Sequence, residues 1–369
     1  MATIILLNLL LLFISITDAA DVPCSTPDQL TGSCVPLEKC FNLYLTKQLY
    51  NKLPIPEENY IRNATCQLED STVGVCCATE KIFELPGECG VASSSRIAHG
   101  NRTEVFEFPW MALLMYRSRD SDELQGNCGG SLINERYVVT AAHCLTKASS
   151  DRSRSKLEFV RLGEHTISTN PDCNNLTELS GNFEQDCAGP VEDVGYELFV
   201  IHKDYNGTFG GDDIGLIRLA ERIVFKPHIK PICLPMDAEL KDTLLPQYFV
   251  AGWGYTDSLD KSDVLQKALL PRVDLDQCQA RFKPYRKKYN ITISEKQICA
   301  GAVNLVDACA GDSGGPLMWQ TDYKAAGSPR YVLFGVVSFG VQTCGTMDFP
   351  GVYMRVGAYL EWILENMEA

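Results

Sequence analysis

Residues 311–316 read Gly-Asp-Ser-Gly-Gly-Pro, a glycine-rich turn with a single serine near its centre. Glycines let backbone N–H groups come close to a ligand, which suits an oxyanion hole beside a nucleophilic serine. Earlier in the chain, residues 140–144 (Thr-Ala-Ala-His-Cys) supply His143, and residues 213–216 (Asp-Ile-Gly-Leu) supply Asp213. Either motif alone is weak evidence. All three together, in the order His, Asp, Ser, indicate nucleophilic catalysis by a serine.

The segment from Ile97 to Ala369 resembles the chymotrypsin-like serine proteases over essentially its whole length. The resemblance implies that Ser313 is the nucleophile, that His143 removes its proton, and that Asp213 rather than Asp212 orients the imidazole. It also implies that the N–H groups of Gly311 and Ser313 bind the oxyanion. The remaining histidines match no catalytic motif and are expected on the surface or in loops: His99, His165, His202 and His228.

The hydrophobic pattern of the same segment predicts an all-β protein. Short apolar or alternating runs between Gly, Pro and Asn turns predict strands at residues 110–116, 137–142, 157–162, 198–202, 214–219, 248–253, 331–338 and 351–356. Only the C-terminal run, Ala358 to Glu368, shows convincing helical periodicity. With the resemblance, the pattern predicts a two-lobed, chymotrypsin-like double β-barrel with a C-terminal helix.

The resemblance also predicts substrate specificity. In this family the residue six positions before the nucleophile lies at the base of the specificity pocket, and here it is Asp307. A carboxylate at the base of a narrow slot selects Arg or Lys. Ser338, Gly340 and Gly351 would form walls that leave the slot open. We therefore expect trypsin-like cleavage after Arg or Lys.

Residues 96–100, Arg-Ile-Ala-His-Gly, resemble the activation site of the same family. Cleavage after Arg96 would free the ammonium group of Ile97, which would pair with the carboxylate of Asp312 and order the pocket and the oxyanion loop. The uncut chain is therefore expected to be a zymogen. No cofactor is expected for catalysis.

The N-terminal part of the chain is rich in cysteine: six of the 16 cysteines lie between Cys24 and Cys77. This density predicts a disulfide-stabilised module rather than a zinc site, because the segment holds no histidine and no pair of C-x-x-C knuckles. The count alone leaves many pairings open. The spacing, which ends in the adjacent Cys76 and Cys77, resembles a clip domain, the small module that precedes many arthropod serine proteases.

The two resemblances imply eight disulfides. The clip resemblance implies Cys24–Cys76, Cys34–Cys66 and Cys40–Cys77. The protease resemblance implies Cys89–Cys233, Cys128–Cys144, Cys173–Cys187, Cys278–Cys299 and Cys309–Cys344.

One loop resembles a calcium site of the family. Glu164 and Asp172 would supply carboxylates and Thr166 and Thr169 backbone carbonyls, which are the oxygen ligands that Ca²⁺ prefers. The alternative is a solvated acidic loop, since residues 167–193 carry several acids and no Lys or Arg.

The N-terminus predicts export. Ile4 to Ile16 is almost continuously apolar and small residues follow, which is typical of a signal peptide over residues 1–20. Five sequons are compatible with glycosylation during export: Asn63, Asn101, Asn175, Asn206 and Asn290. The predicted order is signal peptide 1–20, clip domain 24–77, linker and activation segment 78–96, and protease domain 97–369, in a secreted protein.

The charge distribution excludes some partners. The formal net charge is -14, which disfavours binding to nucleic acid or to an anionic membrane. One basic run departs from this balance: Arg281, Lys283, Arg286, Lys287 and Lys288. It is either a solvated face or a docking patch for an acidic partner or inhibitor.

Three functions fit these features. The leading hypothesis is a secreted zymogen of a trypsin-like protease that acts in an extracellular cascade of innate immunity. The resemblance to clip-domain proteases implies that its partners would be zymogens such as prophenoloxidase or a Toll-ligand precursor, an upstream trypsin-like activating protease and a serpin inhibitor. A non-catalytic clip-domain adaptor would typically lose the catalytic serine, but His143, Asp213 and Ser313 are all present. A digestive trypsin would need no disulfide-rich docking module.

Overall fold

The structure is a computed structural model. It describes residues 22–40, 43, 47, 55–68, 71–78, 88–92, 102–149, 155–177, 183–207, 209, 211–236, 238–255, 260–289, 291–301, 311–323, 328–340 and 349–367. The chain divides into an N-terminal unit that ends at Glu84 and a larger unit over Leu85–Glu368. The predicted signal peptide lies outside the described residues. No helix in the described ranges is long and apolar enough to cross a membrane.

The N-terminal unit is a small antiparallel sheet held by crosslinks. Its strands are β1 (Val22–Ser25), β2 (Thr31–Val35), β3 (Thr65–Gln67) and β4 (Val73–Ala78), in the order β1-β2-β4-β3. A 3₁₀ helix (Leu37–Lys39) and helix α1 (Ile55–Asn63) complete it. Few buried side chains form its core, so its stability depends strongly on three disulfides. The structure forms the pairs that the clip resemblance implies: Cys24–Cys76, Cys34–Cys66 and Cys40–Cys77.

The larger unit begins with a seven-stranded antiparallel sheet. Its strands are β5 (Met111–Ser118), β6 (Leu124–Leu132), β7 (Tyr137–Thr140), β8 (Ser155–Leu162), β11 (Glu192–Val194), β12 (Tyr196–Ile201) and β13 (Gly215–Leu219), in the order β11-β8-β5-β6-β7-β13-β12. Helix α2 (Ala142–Ser149) follows β7. A separate hairpin pairs β9 (Cys173–Thr177) with β10 (Phe183–Cys187), and a disulfide joins the facing Cys173 and Cys187.

The second half of this unit is a closed six-stranded barrel. Its strands are β14 (Gln247–Gly252), β15 (Gln266–Val273), β16 (Gln297–Ala300), β17 (Pro316–Thr321), β18 (Arg330–Phe339) and β19 (Gly351–Arg355), in the order β14-β15-β16-β19-β18-β17. Tyr248, Leu270, Leu317 and Tyr353 fill its interior. The further helices are α3 (Ala238–Asp242), α4 (Leu275–Phe282), α5 (Arg286–Tyr289) and α6 (Val356–Glu365). The predicted all-β, two-lobed fold with a C-terminal helix is confirmed.

Three of the histidines expected on the surface or in loops lie in loops but are buried. His165 and His202 are each 8% exposed and His228 is 6% exposed. The Nε2 atom of His165 lies 3.0 Å from the carbonyl oxygen of Thr103, and His202 packs against the rings of Tyr359 and Trp362. Burial lowers the pKa of both His165 and His202, so both rings are neutral at pH 7. His99 lies outside the described residues.

Residues 88–92, which precede the predicted cleavage site at Arg96, are held in place by contacts within the larger unit. The Gly90 N–H donates to the Pro231 carbonyl at 2.8 Å, and the Tyr331 N–H donates to the Gly90 carbonyl at 2.9 Å. A disulfide joins the neighbouring Cys89 to Cys233. Gly90 has a φ of +65°, and a Cβ there would lie 2.3 Å from the Tyr331 carbonyl oxygen. The residue therefore has to be glycine for both its backbone angle and its contact.

We expect Gly90→Ala to lower the melting temperature more than Gly207→Ala does. Gly207 has a φ of +77° with no atom within 4 Å of an added Cβ, so its alanine variant reports the backbone penalty alone. That penalty is about 1 kcal/mol, and the clash with Tyr331 adds to it at residue 90. Thermal unfolding of the two oxidised variants measures the difference. Equal shifts would show that residues 88–92 do not dock as described.

Candidate active site

The strand register of the first sheet brings a histidine and an aspartate together. His143 follows β7 at the start of α2, and Asp213 precedes β13. Because Thr140 of β7 pairs with Gly215 of β13, the two residues lie at the same end of the sheet. The His143 backbone N–H donates to Asp213 Oδ1, and the ring Nδ1 lies 2.8 Å from Asp213 Oδ2. Asp213 therefore fixes both the backbone and the ring of His143, with the Nδ1 proton facing the carboxylate and Nε2 on the opposite side of the ring.

The Asp213 carboxyl is 4% exposed and is the most enclosed charge of the site. Its second partner is the Ser338 hydroxyl at the end of β18, which donates to Oδ2 at 2.6 Å. Burial on its own would raise the pKa of Asp213. The net shift is nevertheless downward, because the His143 charge and the hydrogen bonds from His143 and Ser338 stabilise the carboxylate. Asp213 is therefore negatively charged at neutral pH.

The turn that carries Ser313 is held between the barrel and the first sheet. The Gly129 N–H of β6 donates to the Ser313 carbonyl at 2.7 Å, and the Gly314 N–H donates to the Val337 carbonyl of β18 at 2.8 Å. Gly314 has a φ of +81°, and a Cβ there would lie 2.2 Å from Thr140 Oγ1. Only glycine allows this approach, which places Ser313 beside the end of β7 and hence beside His143.

A disulfide sulfur lies next to both reactive residues. Cys144 Sγ is 3.7 Å from His143 Nε2 and 3.7 Å from the Ser313 carbonyl oxygen. Among the described groups, no hydrogen bond joins the Ser313 hydroxyl to the imidazole. Hydrogen bonds between a nucleophile and its base are often long before substrate binds. Cys128, His143 and Cys144 also cluster as potential metal ligands, but the two cysteines are joined to each other and offer no thiolate.

The N–H groups of two glycines in this turn already have acceptors and so do not bind an oxyanion. The Gly314 N–H is used by Val337, and the Gly315 N–H donates to the Asp312 carbonyl at 2.9 Å. Gly311 and Ser313 therefore remain the predicted donors. Gly311 has a φ of +104°, so the chain reverses direction just before Ser313. The site could thus combine a nucleophile, a base with its orienting carboxylate, and two backbone donors.

The described part of the predicted specificity pocket carries no side chain at two neighbouring positions. A Cβ on Gly340 would lie 4.0 Å from the Gly351 Cα, because the two glycines lie side by side at the adjacent ends of the paired strands β18 and β19. The Ser338 side chain is buried and bonded to Asp213, so its predicted place in the wall would involve its backbone. Asp307 and the Cys309–Cys344 pair lie outside the described residues. The role of Ser338 toward Asp213 is one that the sequence did not reveal.

The Asp312 carboxylate lies against the end of β14. Its Oδ1 atom accepts a hydrogen bond from the Gly254 N–H at 2.7 Å, just beyond the end of β14. The predicted partner Ile97 and the cleavage site at Arg96 lie outside the described residues. A carboxylate that is already half-buried at this position is well placed to receive an ammonium group.

The predicted calcium loop brings its two carboxylates together. The His165 N–H lies within hydrogen-bond distance of both Glu164 Oε1, at 3.0 Å, and Asp172 Oδ2, at 2.9 Å. Burial and the neighbouring Asp172 charge raise the pKa of Glu164 to about 7. Two buried carboxylates in contact are the donor set that a divalent cation stabilises. The Thr166 carbonyl, however, accepts the Thr169 N–H at 2.9 Å. The site stays a prediction, with the chemistry of its carboxylates in its favour.

The remaining predicted residues are placed as follows. The structure forms the disulfides Cys89–Cys233, Cys128–Cys144, Cys173–Cys187 and Cys278–Cys299. The sequon residues Asn63 and Asn206 are exposed, as a glycosylation site requires. Asn175 lies in β9, and Asn101 and Asn290 lie outside the described residues.

Two family models match this chain. The family described as "Trypsin" matches residues 97–363, and "Regulatory CLIP domain of proteinases" matches residues 24–77. The chain is 36% identical to "Serine protease grass" of Drosophila melanogaster, covering 95% of this chain and 92% of that protein. It is 37% identical to "Phenoloxidase-activating factor 3" of Holotrichia diomphalia, covering 93% of each.

A solved structure supports the fold. The crystal structure of the Drosophila Grass clip serine protease of the Toll pathway aligns with a TM-score of 0.67 and 35% identity, covering 94% of this chain and 97% of that one. The "Spaetzle-processing enzyme" of Drosophila melanogaster is 34% identical over 95% of this chain and 94% of its own length.

We expect Ser338→Ala to lower kcat/KM for peptide hydrolysis by about tenfold, because a hydrogen bond to a buried charge contributes about 1.5 to 3 kcal/mol. Ser131→Ala is the matched control, since Ser131 is buried in β6 and its hydroxyl bonds to no described group. Steady-state kinetics at neutral pH compare the two variants. Equal activity in both would mean that Ser338 does not support Asp213.

Proposed function

Since this chain belongs to the trypsin family of serine proteases and carries a clip domain, we propose that it is a secreted zymogen whose active form cuts proteins after Arg or Lys. The chain is a trypsin-family serine endopeptidase, and such enzymes need no cofactor for catalysis. The observation that carries the proposal is the buried Asp213 carboxylate. It binds His143 through two hydrogen bonds and leaves Nε2 directed away from it.

Catalysis would proceed by acyl transfer. The Ser313 Oγ attacks the substrate carbonyl while His143 Nε2 takes its proton, and the negative charge that forms on the carbonyl oxygen is stabilised by the Gly311 and Ser313 N–H groups. The His143 proton then passes to the departing amine. Water, deprotonated by the same nitrogen, releases the acid and restores the Ser313 hydroxyl. Asp213 stays ionised throughout, which favours the transient positive charge on His143.

Specificity for Arg or Lys would come from Asp307 at the base of a slot whose wall includes Gly340 and Gly351. A cation that leaves water needs a counter-charge, and Asp307 supplies one. The absence of side chains on these two neighbouring glycines supports a slot wide enough for a long side chain.

Activation would depend on Asp312. In the uncut chain its carboxylate accepts the Gly254 N–H. Cleavage after Arg96 creates the Ile97 ammonium group, whose pairing with Asp312 would set the adjacent Gly311 and Ser313 for oxyanion binding.

The biological role would be one step of an extracellular proteolytic cascade in innate immunity. The disulfides favour an oxidising compartment, and relatives are named for melanization, for phenoloxidase activation and for Spaetzle processing. The substrates would be zymogens such as prophenoloxidase or a Toll-ligand precursor. A trypsin-like protease would activate this chain, and a serpin would inhibit it. The non-catalytic alternative has less support, because such adaptors typically lose the catalytic serine and this chain keeps Ser313 together with His143 and Asp213.

We expect Asp307→Ser to remove the preference for Arg and Lys, lowering kcat/KM for an Arg peptide by about a hundredfold, because a cation in the slot then lacks its counter-charge. A panel of peptides that differ only at the cleaved residue measures the change. Ser313→Ala, prepared identically, reports any contaminating protease. Unchanged selectivity, with no turnover by Ser313→Ala, would assign the charge recognition to another residue.

We expect the clip domain to stay attached after activation, because Cys89 lies on the N-terminal side of the cleavage site and is bonded to Cys233. Fully cleaved protein should run as one band on a denaturing gel without reductant and as two bands with it. The double variant Cys89→Ser with Cys233→Ser should give two bands under both conditions. Two bands from unreduced wild-type protein would refute the attachment.

A further inference from the structure

A basic segment interrupts the acidic surface of the larger unit. Residues 281–288 hold Arg281, Lys283, Arg286, Lys287 and Lys288, whereas the whole chain has a formal net charge of -14. We call these eight residues the basic segment. Lys283, Arg286 and Lys287 are exposed, and none forms an ion pair with a carboxylate among the described residues. Their charges are therefore available to a binding partner.

Aromatic contacts fix the basic segment to the end of the barrel that holds the specificity pocket. The ring of Phe282 lies 5.8 Å from that of Phe339 and 5.5 Å from that of Phe349. The ring of Tyr285 lies 5.4 Å from that of Phe349. Phe339 directly precedes Gly340. The Cys278–Cys299 disulfide further joins α4 to β16. The exposed cations therefore stand beside the pocket entrance on a rigid support.

The chemistry of cleavage decides which part of a substrate lies on this side. The departing amine has to receive a proton from His143, so the residues after the cleaved bond leave along the first sheet. The Arg or Lys before that bond fills the slot lined by Gly340 and Gly351, which lie at the ends of barrel strands. The residues that precede it therefore lie against the barrel, where Phe339 and the basic segment are placed.

We infer that the basic segment selects protein substrates that carry acidic side chains shortly before the Arg or Lys at which they are cut. This inference rests on the proposed function and defines its substrate class. Each exposed charge pair has a small effect, but three that act together increase kcat/KM by about tenfold at low ionic strength. Screening by salt reduces the effect, since all three cations are exposed. A purely solvated face would give no such preference.

The test uses activated full-length protein and three fluorogenic peptides cut at the same Arg. One peptide carries three Glu residues shortly before the Arg, one carries Gln at those positions, and one carries the Glu residues after the cleaved bond. The variant is Lys283→Gln, Arg286→Gln and Lys287→Gln. The control variant is Arg222→Gln, Lys226→Gln and Lys230→Gln. It removes the same number of positive charges from the segment that follows β13. This segment lies against the first half of the larger unit, where the Lys230 N–H donates to the Pro109 carbonyl.

Wild-type protein and the control variant should prefer the first peptide over the Gln peptide by about tenfold, and less at 0.5 M salt. The basic-segment variant should cut the first peptide and the Gln peptide equally fast, at the rate at which wild-type protein cuts the Gln peptide. Equal cleavage of both by wild-type protein, an equal loss of preference in the two variants, or a preference only for acids after the bond would each overturn the inference. Failure of wild-type protein to cut the Gln peptide would instead contradict the proposed function.

Discussion

The predicted catalytic side chains come from two different β-structures, and a backbone hydrogen bond between Gly129 and Ser313 joins the two. His143 and Asp213 belong to the first sheet, whereas Ser313 and Ser338 belong to the barrel. The Gly129 N–H of the sheet binds the Ser313 carbonyl at 2.7 Å, and the absence of a side chain on Gly314 lets the turn reach Thr140. Formation of the site is therefore coupled to the packing of the two halves of the larger unit.

The same junction explains how a buried negative charge is tolerated. Asp213 receives donors from both halves, the backbone and ring of His143 from the sheet and the Ser338 hydroxyl from the barrel. Three hydrogen bonds together offset a desolvation cost that no single one would balance. The carboxylate thus links the halves electrostatically at the point where Gly129 and Ser313 link them through the backbone.

Much of this arrangement could be predicted from the sequence, and the failures have physical causes. Strands with an apolar pattern, such as β7 and β18, were predicted close to their observed bounds. Strand β6 was missed, because Gln125, Gly126 and Asn127 interrupt its apolar pattern and only pairing with β5 makes it a strand. The motifs identified His143 and Asp213. They did not reveal the Ser338 hydroxyl bond or the burial of His202, since both depend on contacts between residues far apart in the chain.

The disulfide between Cys89 and Cys233 also determines how many free clip domains activation would produce. If the clip domain were released at activation, every cut would produce one free module able to occupy a partner without cutting it. The number of these free modules would rise with the amount of activated protease. They would compete for the same partner and reduce its cleavage. If the chain is activated as proposed, the Cys89–Cys233 bond keeps the ratio of clip domains to active sites at one before and after cleavage. An inhibitor that captures the protease would then remove the clip domain in the same event.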